Sequence, residues 1–225
     1  MELKNKIFVI QNLIRSQNFS TAIVNCKKLL KKYPENSYTY NLCGLALQGE
    51  KKFSNSIEYF SKALHYDSEN LAAMNNLANS YKTLYYYDKA QDLYLKIIKK
   101  DPLNLKTLNN YANLKRTWND FDGAIDLYLK ATKINPEEIN ILFSLADSYQ
   151  SIGDFKKSRE VIDKILRIDP NKTSAHKLIS GFTNYHEGNK EHLDTMKNLS
   201  SKSDLTDNQK IDLFFALGKA YEDIK

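Results

Sequence analysis

Apolar and small residues recur along this chain at intervals of three and four, the spacing that places side chains on one stripe of an α-helix. Intervals of 3, 1 and 3 occur at the same phase in two sets, Met74, Leu77, Ala78, Tyr81 and Leu142, Leu145, Ala146, Tyr149. Intervals of 4 and 3 follow in two further sets, Ala90, Tyr94, Ile97 and Ala124, Tyr128, Ala131. Each set predicts one helix, so the chain is predicted to contain pairs of helices joined by short turns.

The helix pairs repeat with a period of 34 residues. All four prolines lie on one grid with this spacing, and Ser68 occupies its remaining point; the prolines are Pro34, Pro102, Pro136 and Pro170. An aromatic residue recurs with the same period at Phe19, Phe53, Tyr87, Phe121 and Phe155. Proline cannot donate a backbone hydrogen bond, so each proline marks the end of a helix pair. A fixed period of this length predicts a solenoid of stacked repeats.

With the proline at position 32 of each repeat, the repeats begin at Leu3, Ser37, Leu71, Leu105, Ile139 and Thr173. The pattern resembles the tetratricopeptide repeat (TPR) family over residues 3–185. The resemblance implies an all-α fold, a right-handed TPR superhelix (α-solenoid) of about six helix-turn-helix repeats plus a final unpaired helix. Residues 1–186 are predicted to form the repeat array, and 187–225 an irregular linker and the first helix of a further repeat.

The end of the chain breaks the period. Thr206 and Gln209 have capping-box spacing and predict a helix start. Residues with first-helix spacing follow at Phe214, Leu217, Gly218 and Tyr221. The segment from His192 to Ile224 resembles the junction of bacterial TPR-sulfotransferase proteins, which implies a catalytic domain using a phosphoadenosine sulfate donor. The chain contains no donor-phosphate loop motif, so that domain would lie beyond Lys225.

The resemblance implies that first-helix positions 2, 5, 9 and 12, with 6 and 13 beside them, line a concave groove. Asparagine recurs there, at Asn41, Asn75 and Asn109 (position 5), Asn76 and Asn110 (position 6), and Asn79 and Asn113 (position 9). An amide can bond both N–H and C=O of an extended peptide. The row is similar to the asparagine ladder of the O-linked N-acetylglucosamine transferase family. Exposed consensus residues without a ligand are the alternative, because asparagine is common at positions 6 and 9.

Charged residues accompany the predicted groove. Lys106 takes position 2, Lys82 and Arg116 take position 12, and Asp147 takes position 9 of the next repeat. A groove that is basic in its middle favours an acidic peptide or a C-terminal carboxylate. The carboxylate clamp of chaperone-binding TPR proteins is incomplete, because Ile7 and Gln11 replace its lysine and asparagine in the first repeat.

Composition adds mainly exclusions. The net charge is +6 and the pI about 9.0, but the lysines are scattered, so we expect a solvated face and no nucleic-acid partner. No stretch approaches the ~18 apolar residues of a membrane span, so no membrane partner and a cytoplasmic location are predicted. Cys26 and Cys43 fall at core positions and are predicted to be buried free thiols. The histidines lack metal-ligand spacing, and no metal, cofactor or catalytic residue is predicted.

Two functional interpretations remain open. In the first, the chain is a scaffold that binds an extended peptide or partner segment in the asparagine-lined groove. In the second, it is the substrate-recruiting arm of an enzyme, a sulfotransferase before a glycosyltransferase, whose catalytic domain lies outside this sequence. The chain itself is predicted not to be an enzyme in either case.

Overall fold

The computed structural model describes residues 2–186 and 188–225, which contain thirteen α-helices and no β-strand. The helices are α1 (Glu2–Arg15), α2 (Phe19–Lys32), α3 (Ser37–Gly49), α4 (Phe53–Tyr66), α5 (Leu71–Thr83), α6 (Tyr87–Lys100), α7 (Leu105–Thr117), α8 (Phe121–Ile134), α9 (Ile139–Ser151), α10 (Phe155–Ile168), α11 (Thr173–Ser180), α12 (Lys190–Ser200) and α13 (Asp207–Ile224). The helix pairs follow the predicted period, and the all-α solenoid prediction is confirmed.

Short polar side chains start several helices. The Asn36 side chain accepts a 2.8 Å bond from the Thr39 amide at the start of α3. Asn70 caps α5 in the same way, through a 3.0 Å bond from the Ala73 amide. Such caps satisfy backbone donors that have no partner within the helix. The local sequence therefore fixes where the first helix of a repeat begins.

The turn inside each helix pair contains a left-handed residue that the sequence pattern did not reveal. These residues lie on the same 34-residue spacing, at Gln17, Lys51, Tyr85, Asn119 and Gly153, with φ between 58° and 79°. Only the last is glycine, the residue that adopts this conformation without steric cost. Asparagine also tolerates it, but Gln17, Lys51 and Tyr85 disfavour it, so packing of the two helices imposes the turn geometry there.

Small residues let the helices approach closely. Ala22, Ser56, Ala90, Ala124 and Ser158, one in each second helix, are all fully buried. At Gly44 in α3, an added Cβ would lie 2.4 Å from the Phe60 ring of α4. Phe60 is itself fully buried, so this glycine is required by close packing.

The chain divides into two compact units, one up to Leu114 and one from Lys115. In the first unit, Ile10, Cys26, Cys43 and Ala46 belong to one core cluster. In the second, one cluster joins α9, α10 and α11, and another joins α12 and α13. The predicted domain boundary between residues 186 and 187 falls at a position outside the described residues.

The C-terminal region differs from its prediction in one respect. Lys190–Ser200, predicted as part of an irregular linker, is helical, because Leu193, Met196 and Leu199 form a buried face. The final helix follows the six helix pairs without a second helix of its own, as predicted, and packs against both α11 and α12. These contacts complete the second unit.

The face through which α13 packs also differs from the expected one. Its buried residues are Leu213, Ala216, Leu217 and Ala220. Phe214 and Tyr221, which have core spacing in the sequence, are 61% and 46% exposed. The apolar stripe is rotated because alanines, rather than aromatic side chains, contact the preceding helices.

Candidate functional site

The asparagines of the first unit bond to one another from repeat to repeat. Asn76 Nδ2 donates to Asn41 Oδ1 at 2.9 Å, and Asn110 Nδ2 donates to Asn75 Oδ1 at 3.1 Å. Each pair joins position 5 of one repeat to position 6 of the next. Thr107 Oγ1 also donates to Asn75 Oδ1, at 3.3 Å. The amides therefore link successive first helices.

Burial limits what these asparagines can offer to a ligand. Asn41, Asn75 and Asn76 are only 3–4% exposed. The Gln48 side chain donates to the Asn76 backbone carbonyl at 3.0 Å and covers this region further. Asn75 Nδ2 is buried without a bonding partner among the residues the structure describes. The contacts of these three amides are those of a buried polar ladder inside the unit.

The remaining predicted residues of the first unit are more accessible. Asn79 Oδ1 accepts a 2.6 Å bond from the buried Tyr94 hydroxyl, so this amide is also engaged. Burial lowers the pKa of Lys82. The Lys106 ammonium is exposed and lies 3.4 Å from Asn76 Oδ1. Half-buried amides at this face are Asn109, Asn110 and Asn113.

The second unit contains a cavity of about 670 Å³ between α9, α11, α13 and the last turn of α7. Its apolar lining includes four phenylalanines, which are Phe143, Phe155, Phe182 and Phe215. The rings of Phe155 and Phe182 lie 5.6 Å apart. Phe155 and Phe215 are 51% and 60% exposed. Aromatic side chains that line a concave surface and remain exposed to solvent are typical of ligand-binding sites.

Two ion pairs lie in the same cavity. Arg116 pairs with Asp147, and the Lys177 ammonium lies 3.0 Å from an oxygen of Asp212. Lys177 also lies 5.4 Å from the centre of the Phe215 ring, within cation–π range. The lining therefore combines apolar surface with two cations and two anions.

Of the predicted binding residues, the structure brings Arg116 and Asp147 into this cavity and keeps the asparagines outside it. Arg116 Nη2 donates to Asp147 Oδ2, while Arg116 Nε is buried with no bonding partner within the described ranges. The planar guanidinium has further donor capacity at this position.

Sequence reasoning missed the aromatic residues of the cavity, although the repeat numbering contained their signal. Phe143, Lys177 and Phe215 all stand at position 5, if the final helix is numbered from Ile211. That is the position at which Asn41 and Asn75 stand in the first unit. The change from asparagine to phenylalanine at one groove position was the available signal.

Two family models match the chain, and each match lies within one unit. The model described as "Psidin, N-terminal TPR repeats region" matches residues 4–113, and the model described as "Tetratricopeptide repeat" matches residues 119–180. The chain is built from tetratricopeptide repeats. Neither match extends into residues 192–224, and no comparison supports the resemblance to TPR-sulfotransferase proteins predicted for them. No curated protein sequence matches the chain.

Solved TPR structures share the fold at low sequence identity. The pilF protein of Pseudomonas aeruginosa aligns with a TM-score of 0.77 at 15% identity, over 94% of this chain and 96% of its own. MamA from Desulfovibrio magneticus RS-1 aligns with a TM-score of 0.66 at 16% identity, over 76% of this chain and 96% of its own. YrrB, described as a TPR protein with an unusual peptide-binding site, aligns with a TM-score of 0.63 at 16% identity, over 86% of this chain and 96% of its own. These similarities establish the architecture.

No helix in the described part of the chain is long and apolar enough to cross a membrane. No group of three His, Cys, Asp or Glu side chains there is arranged to hold a metal ion. Cys26 and Cys43 are buried free thiols, as predicted.

Proposed function

We propose that this TPR chain is a protein-interaction module whose second unit binds a partner segment through the phenylalanine-lined cavity. The single observation that carries the proposal is the exposure of Phe155 and Phe215 within a 670 Å³ concavity. Exposed aromatic side chains in a concave surface lose unfavourable contact with water when an apolar ligand group covers them. The volume suits one or two apolar side chains of a peptide.

The charges of the cavity bear on the class of partner. Arg116 and Lys177 each have an acidic neighbour, Asp147 and Asp212, so these four side chains carry no net charge together. A segment with an aromatic or aliphatic anchor and a neutral or mixed-charge flank fits this lining best. The acidic partner expected from the sequence would gain less here, since each cation is already paired.

The predicted asparagine groove lies in the first unit and stays a separate, secondary proposal. Asn109, Asn110 and Asn113 are half-buried, so each keeps some surface that a peptide backbone can reach, although Asn110 also donates to Asn75. Asn41, Asn75 and Asn76 contribute stability instead, because they are buried and bond within the unit. The sulfotransferase-arm interpretation stays a prediction.

Two neighbouring residues give a matched test. Phe215 lines the cavity and Phe214 does not, yet they are 60% and 61% exposed on the same helix. Peptides are first selected from a displayed random library against the whole chain, and the affinity of one selected peptide is then measured by fluorescence anisotropy. We expect Phe215→Ala to weaken binding about tenfold or more, as for a hot-spot aromatic, and Phe214→Ala to change it less than about twofold.

The outcome is decisive either way. Equal effects of the two substitutions, or none from Phe215→Ala with helix content unchanged by circular dichroism, would place the peptide elsewhere and reject the proposed site. Phe155→Ala provides an independent repeat of the experiment on α10.

A further inference from the structure

The positive charge of this chain is concentrated in its first helix pair. Residues 2–32 contain seven basic side chains and one acidic side chain, Glu2, so their net charge equals the +6 of the entire chain. The remaining residues balance to zero. Basic residues also occur along the rest of the chain, but acidic residues balance them there, so the lysines look scattered in the sequence.

The one acidic residue of the pair contacts only one of the four lysines of α2. Glu2 lies 2.9 Å from the Lys6 ammonium and 2.8 Å from that of Lys32, and these two cations lower its pKa to about 2. Lys27, Lys28 and Lys31 are exposed and have no acidic partner within the described part of the chain. Three unpaired cations therefore stand on one side of α2, at spacings that make them neighbours.

Two apolar side chains are exposed among these lysines. Val9 on α1 is 51% exposed, and Val24 on α2 is 50% exposed. Val9 and Lys28 line one cavity of about 330 Å³ between the two helices. Val24 precedes Lys27 and Lys28 by three and four residues, so it lies beside them on the helix surface. Val9, Val24 and the unpaired cations thus share one surface, which we call the basic apolar face.

We propose that the basic apolar face binds the interface of an anionic lipid bilayer, with the lysines at the headgroups and Val9 and Val24 inserted below them. Anionic headgroups supply the charges that the lysines lack, and the acyl boundary takes up the apolar groups. The mode is surface binding, which differs from the membrane span that the sequence argues against. A nucleic acid would meet the charges but leave the two apolar side chains in water.

Vesicle flotation with the whole chain tests this proposal. The vesicles are pure phosphatidylcholine, or phosphatidylcholine with about a third phosphatidylserine, the type of anionic lipid that attracts basic surfaces. We expect binding to the anionic vesicles alone. The triple substitution Lys27→Gln, Lys28→Gln and Lys31→Gln is expected to weaken that binding about a hundredfold, at about fivefold per lysine.

Matched controls exist in the same chain. Lys130, Lys133 and Lys156 are exposed lysines of the second unit, and their substitution by Gln removes the same charge. Val24→Ser is compared with Leu103→Ser, since Leu103 is an exposed apolar residue of the first unit outside this face. We expect the control triple and Leu103→Ser to bind within about twofold of wild type, and Val24→Ser to weaken binding about tenfold.

Three results would overturn the proposal. One is binding that does not depend on phosphatidylserine, and another is equal loss in the two lysine triples. The third is binding to duplex DNA at the same salt concentration that is unaffected by Val24→Ser, which would assign the lysines to nucleic acid. None of these results depends on the peptide cavity, so this test and that of the proposed function fail separately.

Discussion

Position 5 of the first helix has opposite uses in the two units. In the first unit it holds Asn41 and Asn75, which are buried and bonded to the next repeat. In the second it holds Phe143 and Lys177, which line a cavity. A repeat position therefore fixes where a side chain points, while its chemistry decides whether it holds repeats together or stays available for a ligand.

The two units also differ in regularity. The first keeps the 34-residue period throughout, and close approach of its helices requires Gly44. The second ends in a short α11 and two helices off the grid, and Gly218 in α13 has open space around it. In the first unit, regular helix packing goes together with asparagines that bond to the next repeat. In the second unit, irregular helix packing goes together with a cavity.

The largest expected difference in stability between the two units comes from substituting Gly44 in the first unit and Gly218 in the second. Gly44→Ala places a methyl group against the Phe60 ring and should destabilise the chain by about 3 kcal/mol, the upper range for overpacking. Gly218→Ala meets no atom and should stabilise by about 0.5–1 kcal/mol through helix propensity. Urea unfolding measures both. Similar changes in the two variants would show that the units are packed alike.

The next effect concerns the asparagine ladder. Asn76→Ala leaves the Asn41 amide oxygen without its donor and should cost about 2 kcal/mol, the penalty of an unsatisfied buried group. Asn41→Ala should cost a similar amount. In a double-mutant cycle, the combined variant should lose less than the sum of the two singles, because the second removal has no bond left to break. Additive losses would mean that the amides do not act as a pair.

A third effect is a pH dependence confined to the second unit. His176 Nε2 lies 3.1 Å from the Pro170 carbonyl, which requires that nitrogen to carry the proton. His176 Nδ1 then accepts from His192 Nε2 at 3.0 Å, and His192 Nδ1 accepts from the Tyr185 hydroxyl at 2.8 Å. All three bonds are satisfied when both imidazoles are neutral. Protonating His176 would oppose two N–H groups and break the central bond.

The sign of this dependence follows from linkage. Burial, reinforced by the neighbouring His176 and Arg159, lowers the pKa of His192 from 6.5 to about 4. Burial also lowers that of His176, against the opposing effects of the Pro170 carbonyl and the Asp169 charge. Between pH 6.5 and about 4, the unfolded chain binds more protons than the folded chain. The contribution of these histidines to stability is therefore full above pH 6.5 and falls as the pH drops toward 4.

Urea midpoints measured at pH 7 and pH 5 check this prediction. We expect the difference between them to shrink in His192→Gln and to persist in His65→Gln, which alters an exposed histidine of the first unit. An unchanged difference in His192→Gln would show that the His192 imidazole does not carry the acid sensitivity.

The smallest expected effect is on the free energy of unfolding of a cavity variant. Phe215→Ala should alter the free energy of unfolding by less than about 0.5 kcal/mol, since its ring is 60% exposed. The same variant is expected to lose peptide affinity. A large loss of stability would mean that the phenylalanine holds the unit together as the asparagines do.

The repeat period made the helix pairs and their buried small residues predictable, because both depend on spacing alone. It also indicated the inward-facing positions, several of which line the cavity. It could not show that Asn41 and Asn76 bond to each other, since that depends on the register between repeats. The rotation of α13, which exposes Phe214 and buries Ala216, was hidden for a similar reason: the partner helix α12 has no repeat signature.

The central claim, that the partner binds to the second unit, is tested most directly by nuclear magnetic resonance. The whole chain is titrated with a library-selected peptide, and backbone amide shifts are recorded. We predict perturbations in α9, α11 and α13 around Phe143, Lys177 and Phe215, with the amides of Asn41, Asn75 and Asn76 unmoved. Perturbations centred on those asparagines, with the second unit silent, would contradict the account.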